Sequence, residues 1–154
     1  VDGRDEGPFS PGRSGGVPCA QLVKLCYSGK YSLAEVRDAL FNSGGIYGYL
    51  GTKDVRQVRQ LAEDGDEKAG LLLAAFSYQV SKSIGALATV VKGRVDRIVL
   101  TGGMAYAPYI VEPITERVSF IAPVAVIPGE EELEALNAGA LRVLRGEEEA
   151  HAYC

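Results

Sequence analysis

Three glycine-rich stretches, separated along this chain, could all converge on one ligand. The first is Ser10-Pro11-Gly12-Arg13-Ser14-Gly15-Gly16, where one arginine stands among glycines and serines. A backbone freed by glycine can wrap an anion while the guanidinium supplies forked donors to a phosphate. Composition alone slightly favours a flexible linker over residues 1–18, whose prolines exclude a helix or a central strand. The second stretch, residues 42–51, holds four glycines in ten positions, among them Gly44 and Gly45, interleaved with tyrosines. It reads as a loop that can approach a ligand closely. Asp54 and Arg56 follow, and by themselves they read as solvated charge near a helix start. The third stretch is Thr101-Gly102-Gly103, closing the β-branched run Val95–Leu100. Ligands of open α/β sheets bind at the carboxyl ends of strands, although a glycine pair there also serves simply to turn the chain.

The elements that must position these residues follow from periodicity. Pro18 begins a helix to about Tyr27, and Ser32 caps a second, Leu33 to Phe41, with Glu35 completing a capping box. Together they read as an αα-hairpin insertion. Thr52 caps the next helix, whose apolar face is Val55, Val58 and Ala62. The longest helix is predicted from about Asp66 to Lys92, roughly 40 Å long. Its stripe of Leu72, Phe76, Val80, Ile84, Leu87 and Val91 marks it as the central core helix. Gly93 ends it, and a strand buried on both faces is predicted at Val95–Leu100. Pro108 opens a helix to about Val118, and Ala122–Ile127 is a second buried strand. Glu130, Glu131 and Glu132 crowd the start of a last helix with the stripe Leu133, Leu136, Ala140 and Val143.

Helix, strand, helix, strand, helix implies two parallel strands joined by a right-handed crossover, hence the α/β class. Two strands are too few for an independent sheet. The remaining strands are expected from upstream sequence or from another chain.

The length of 154 residues fits one domain, and 47% hydrophobic with 23% charged residues is ordinary for a soluble protein. A net charge of −4 argues against a nucleic-acid partner. No apolar run is long enough to span a bilayer and no signal peptide opens the chain, so no membrane partner is expected and the cytoplasm is the default. Cys19, Cys26 and Cys154 have no metal-ligand spacing, and the first two, seven apart on one helix, read as small buried hydrophobes. His151, the single histidine, lies in a polar tail, which argues against Ser-His-Asp or Cys-His catalysis. A start at Val1 inside loop-like sequence reads as the carboxyl-terminal piece of a longer protein.

Five ordered stretches carry a resemblance. They are residues 5–16 (DEGPFSPGRSGG), 43–56 (SGGIYGYLGTKDVR), 100–106 (LTGGMAY), 119–124 (SFIAPV) and 128–136 (PGEEELEAL). The chain resembles the carboxyl-terminal part of the acetate and butyrate kinase family, within the actin-like ATPase superfamily, and Met104-Ala105-Tyr106 looks like its butyrate branch. The resemblance implies a partial ribonuclease H-like, actin-like ATPase domain: a short parallel sheet flanked by helices and incomplete without upstream strands. Within it, residues 1–18 would be a phosphate-side loop, 19–65 a helical insertion with a glycine-rich loop, 66–146 the core, and 147–154 a tail. It also implies reversible, ATP-dependent phosphorylation of a short-chain fatty acid, butanoate, to its acyl phosphate.

By the same resemblance, Arg13 stabilises the transition state and Asp54 and Arg56 lie near the nucleoside. Gly102 and Gly103 form the adenosine-binding turn and Glu131 lies near Mg2+, while Gly44 and Gly45 are expected to bind the nucleotide because their glycine-rich loop can approach a ligand closely. ATP or ADP and Mg2+ are the implied cofactors, a fatty acid or acyl phosphate the partner, and a homo-oligomer the expected full-length state. These residues alone are expected to lack kinase activity and to fold poorly or self-associate. The alternatives are an acetate, other carboxylate or sugar kinase of the same superfamily, and a non-catalytic binding or dimerisation module.

Overall fold

The computed structural model describes residues 7–129 and 132–150. Its helices are α1 (Cys19–Cys26), α2 (Leu33–Phe41), α3 (Gly45–Leu50), α4 (Val55–Glu63), α5 (Glu67–Val90), α6 (Pro108–Val118) and α7 (Glu132–Leu144). Strand β1 (Ile98–Gly102) lies between α5 and α6, and β2 (Val124–Pro128) between α6 and α7. The two strands pair in parallel, Ile98 opposite Val124 and Gly102 opposite Pro128, with α6 as the crossover.

Local chemistry sets the helix starts. The Ser32 side chain accepts the Glu35 amide and the Glu35 carboxylate accepts the Ser32 amide, the predicted capping box. Asp66 caps α5 by accepting the Ala69 amide at 3.0 Å. Pro108 occupies the first turn of α6, where its missing N–H costs nothing.

α5 packs against α4 on one side and α6 on the other. Leu73 and Phe76 of α5 join Val58 of α4, Ile110, Ile114 and Val118 of α6, and Ile98 of β1 in one apolar core. By length and composition α5 could cross a membrane, but its amino-terminal half faces this core. Toward its other end the predicted stripe opens, and Leu87 and Val91 are exposed.

Several expectations need correction. Residues 45–50 form a short helix instead of a loop. Thr52 does not cap α4: the cap is Asp54, while the Thr52 hydroxyl accepts the Asp54 amide at 3.1 Å. The strands begin two or three residues later than predicted and end later too. Neither strand is buried on both faces, since Val99 is 51% exposed and Ile127 59% exposed. Ile98 and Leu100 turn toward α5 and α6, and nothing among the described residues covers the other face. Cys19 and Cys26 are both exposed, because α1 buries none of its residues. Glu131, Glu130 and His151 lie outside the described residues.

Candidate functional site

The Arg13 loop is held from beneath by its backbone. The edge of the Phe9 ring meets the Phe76 ring, centroids 5.8 Å apart, and the Phe9 amide donates to Gln79 Oε1, fastening the loop to α5. Ser10 Oγ accepts from the Arg13 amide at 3.0 Å and from Arg13 Nε at 3.4 Å, while the Ser10 amide donates to the Arg13 carbonyl. Arg13 itself is exposed at the tip of this turn.

Gly44 and Gly45 meet this loop directly. The Gly44, Ile46 and Tyr47 amides donate to the carbonyls of Gly12, Ser10 and Pro11 at 3.1, 3.2 and 2.9 Å. The amino-terminal donors of α3 are therefore spent on the loop's own backbone. Gly45 has φ +56°, and a Cβ there would collide with the Ser10 and Arg13 carbonyl oxygens. A Cβ at Gly44 would strike the Ala39 carbonyl oxygen and the Ser14 amide. Both glycines thus let two segments close on each other and set the position of Arg13.

Asp54 and Arg56 form a second cluster. Arg56 Nε donates to Asp54 Oδ1 at 3.0 Å and Nη2 to Oδ2 at 2.8 Å, a two-point pair beside the cap of α4. The Arg56 side-chain donors, then its backbone amide, hold the Asp54 carboxyl down to about 2. Asp54 stays ionised, and it pairs with an Arg56 side chain that is otherwise open to solvent.

Gly102 and Gly103 close the cluster from the sheet side. Gly102, with φ +88°, ends β1 in the left-handed region and starts a 3-10 turn, Gly103–Tyr106. A Cβ at Gly102 would meet open space, so glycine is required there by the turn and not by a neighbour. The turn directs Gly103, Met104 and Tyr106 toward α4. Together with Lys53, Asp54, Arg56, Pro108 and Tyr109 they line an open cleft of about 470 Å³. Tyr109 donates to the Val55 carbonyl at 3.4 Å and lies under the Arg59 guanidinium, 5.2 Å from the ring centroid; its phenol pKa is raised by burial.

The Gly103–Tyr106 turn and the Asp54–Arg56 pair therefore share one cleft, Gly102 stands just before that turn outside the cleft lining, and Gly44 and Gly45 support the Arg13 loop. Lys53 joins the two regions: a Cβ at Gly12 would sit 3.1 Å from Lys53 Cε. Lys53 and Tyr109 were not singled out by sequence reasoning, and Tyr106 only as part of the Met104-Ala105-Tyr106 signature. The available signal for Lys53 was its place directly before Asp54.

Comparison with known proteins gives the family of the chain. Residues 6–128 match the acetokinase family. The chain belongs to the acetokinase family. It is 53% identical over 148 residues to butyrate kinase 1 of Clostridium acetobutylicum, a match covering 96% of this chain and 42% of that protein. It is 49% identical over 147 residues to probable butyrate kinase 2 of Caldanaerobacter subterraneus subsp. tengcongensis, with the same coverage of each. The chain thus spans about two-fifths of the length of the curated relatives it matches. Among solved structures, the acetate kinase of Porphyromonas gingivalis superposes with a TM-score of 0.79 at 23% identity, over 90% of this chain and 41% of that one. A propionate kinase from Francisella tularensis gives a TM-score of 0.72 at 25% identity, over 83% and 39%. The fold is that of the acetokinase family's actin-like lobe, a helix-rich α/β unit with a short parallel sheet.

Family membership makes ATP and Mg2+ the groups to test against these residues. The cleft suits a nucleoside: apolar and aromatic surface lies beside an exposed ion pair and an open glycine turn. Among the described residues no group of three or more His, Cys, Asp or Glu side chains could hold a metal ion. They do not by themselves compose a magnesium cage.

Proposed function

We propose that the full-length protein is a butyrate kinase, converting butanoate and ATP reversibly to butanoyl phosphate and ADP, and that this chain supplies its nucleotide-binding lobe. The observation that carries this is the shared cleft of Gly103, Asp54 and Arg56, in a chain about half identical to butyrate kinases over 96% of its length. In this reading the adenosine lies on the Gly102–Gly103 turn and the Asp54–Arg56 pair orients the ribose. Gly44 and Gly45 act on the nucleotide indirectly, by seating the Arg13 loop. Arg13 would stabilise the charge that spreads over the transferring phosphoryl group, since phosphoryl transfer depends mainly on positioning and charge stabilisation. Mg2+ would be held chiefly by phosphate oxygens, with Glu131 as the protein group offered to it. A cytoplasmic location and a homo-oligomeric state belong to the same proposal.

The test is acyl phosphate formation by the full-length protein from butanoate and from acetate. Higher kcat/KM with butanoate is expected, and a preference for acetate would move the reading to an acetate kinase. Arg13→Ala is expected to lower kcat by well over tenfold. A smaller loss, under about 1.4 kcal/mol of barrier, would remove Arg13 from the reaction.

A further inference from the structure

We propose that Lys53 contacts the nucleotide's phosphate chain, between the adenosine cleft and the Arg13 loop; the proposal rests on the kinase reading above. Lys53 precedes the cap of α4 and lines the same cleft as Arg56 and Gly103. Its stem also runs along Gly12, the residue before Arg13. A Cβ at Gly12 would lie 3.1 Å from Lys53 Cε and 3.4 Å from Nζ. The absence of a side chain at position 12 provides the room that the lysine stem uses. One side chain therefore touches both halves of the candidate site.

The charge of Lys53 is held but not neutralised. Its ammonium lies 5.3 Å from the centroid of the Tyr47 ring, on the helix whose amides fasten the Arg13 loop. Arg56 is committed to Asp54 and Arg59 to Glu63, each at 2.8 Å. Among the described residues neither Lys53 nor Arg13 has a carboxylate within 4.0 Å. Asp38 feels the Lys53 charge only as a minor, longer-range effect behind its bonds to Ser43 and Asn42. A nucleotide with its sugar at Asp54–Arg56 and its reacting phosphate at Arg13 must pass its intervening phosphates along this gap. A compact, rotatable ammonium matches phosphate oxygens as a point charge.

A purely structural lysine would tether the two segments by its stem and serve every ligand equally. Calorimetric titration of the full-length protein with ADP and with adenosine separates the two roles. Lys53→Met keeps the stem and removes the charge; it is expected to weaken ADP about 10- to 100-fold and leave adenosine within about twofold. Lys53→Arg, which restores a cation, is expected to recover most of the ADP affinity, and the salt dependence of ADP binding should flatten in Lys53→Met. Equal weakening of ADP and adenosine, or unchanged ADP affinity, overturns the proposal alone. Failure of the unsubstituted protein to bind either ligand overturns the kinase reading and this proposal with it.

Discussion

The Asp54 carboxylate caps α4 and grips Arg56 at two points, and both contacts favour its ionised form. Its pKa falls from the ordinary 3.8 to about 2. A carboxyl with a depressed folded-state value contributes fully above its unfolded value and is lost as pH falls through the folded one. The pair should therefore be intact from neutral pH down to about 4 and break as pH approaches 2. Carboxyl NMR of the folded protein should give an Asp54 midpoint near 2, and a midpoint near 3.8 would show that the pair is not held in solution. Arg56→Lys should move that midpoint upward, because one ammonium cannot reproduce the two-point grip.

At the scale of elements, the helix α3 and the loop before α1 are one construction. Carbonyls of Ser10, Pro11 and Gly12 cap α3, and Gly45 permits the approach. Gly45→Ala would place a Cβ at φ +56° against two carbonyl oxygens. We expect it to cost about 2 kcal/mol or more in denaturant unfolding and to speed hydrogen exchange at the Ile46 and Tyr47 amides. Unchanged exchange at those amides would mean the loop does not depend on Gly45. This arrangement was not legible beforehand. Four glycines in ten residues look like a loop when propensity is the guide, and only the distant Ser10–Gly12 carbonyls supply the partners that make a helix of them. The capping box at Ser32 and the proline start of α6 were legible, because each is a local bond between near neighbours.

At the scale of the whole molecule, apolar surface remains open. β1 pairs on one edge with β2, Val99 and Ile127 face outward, and α7 exposes Leu133, Leu136 and Leu144. Open strand edges and exposed apolar helix faces recruit further chain, from the same polypeptide or a second copy. The 154-residue chain by itself is therefore expected to self-associate at micromolar concentration and to lack kinase activity. Sedimentation velocity checks the first: a stable monomer that unfolds cooperatively would show that these faces need no cover.

The amino-acid sequence by itself determined the α/β class, the parallel crossover through α6 and the long core helix, and of the residues lining the cleft it singled out Asp54, Arg56 and Gly103. Each rests on periodicity, on capping chemistry within a few residues, or on ordered motifs, all of which survive without knowledge of distant contacts. Tertiary structure alone decided that Gly44 and Gly45 serve the Arg13 loop, that Cys19 and Cys26 are exposed, and that the strands are covered on one face only. It also placed Lys53 against Gly12. These are facts about which surfaces meet, and an apolar run or a glycine pair reads the same whether its partner is a ligand, a neighbouring loop or nothing at all.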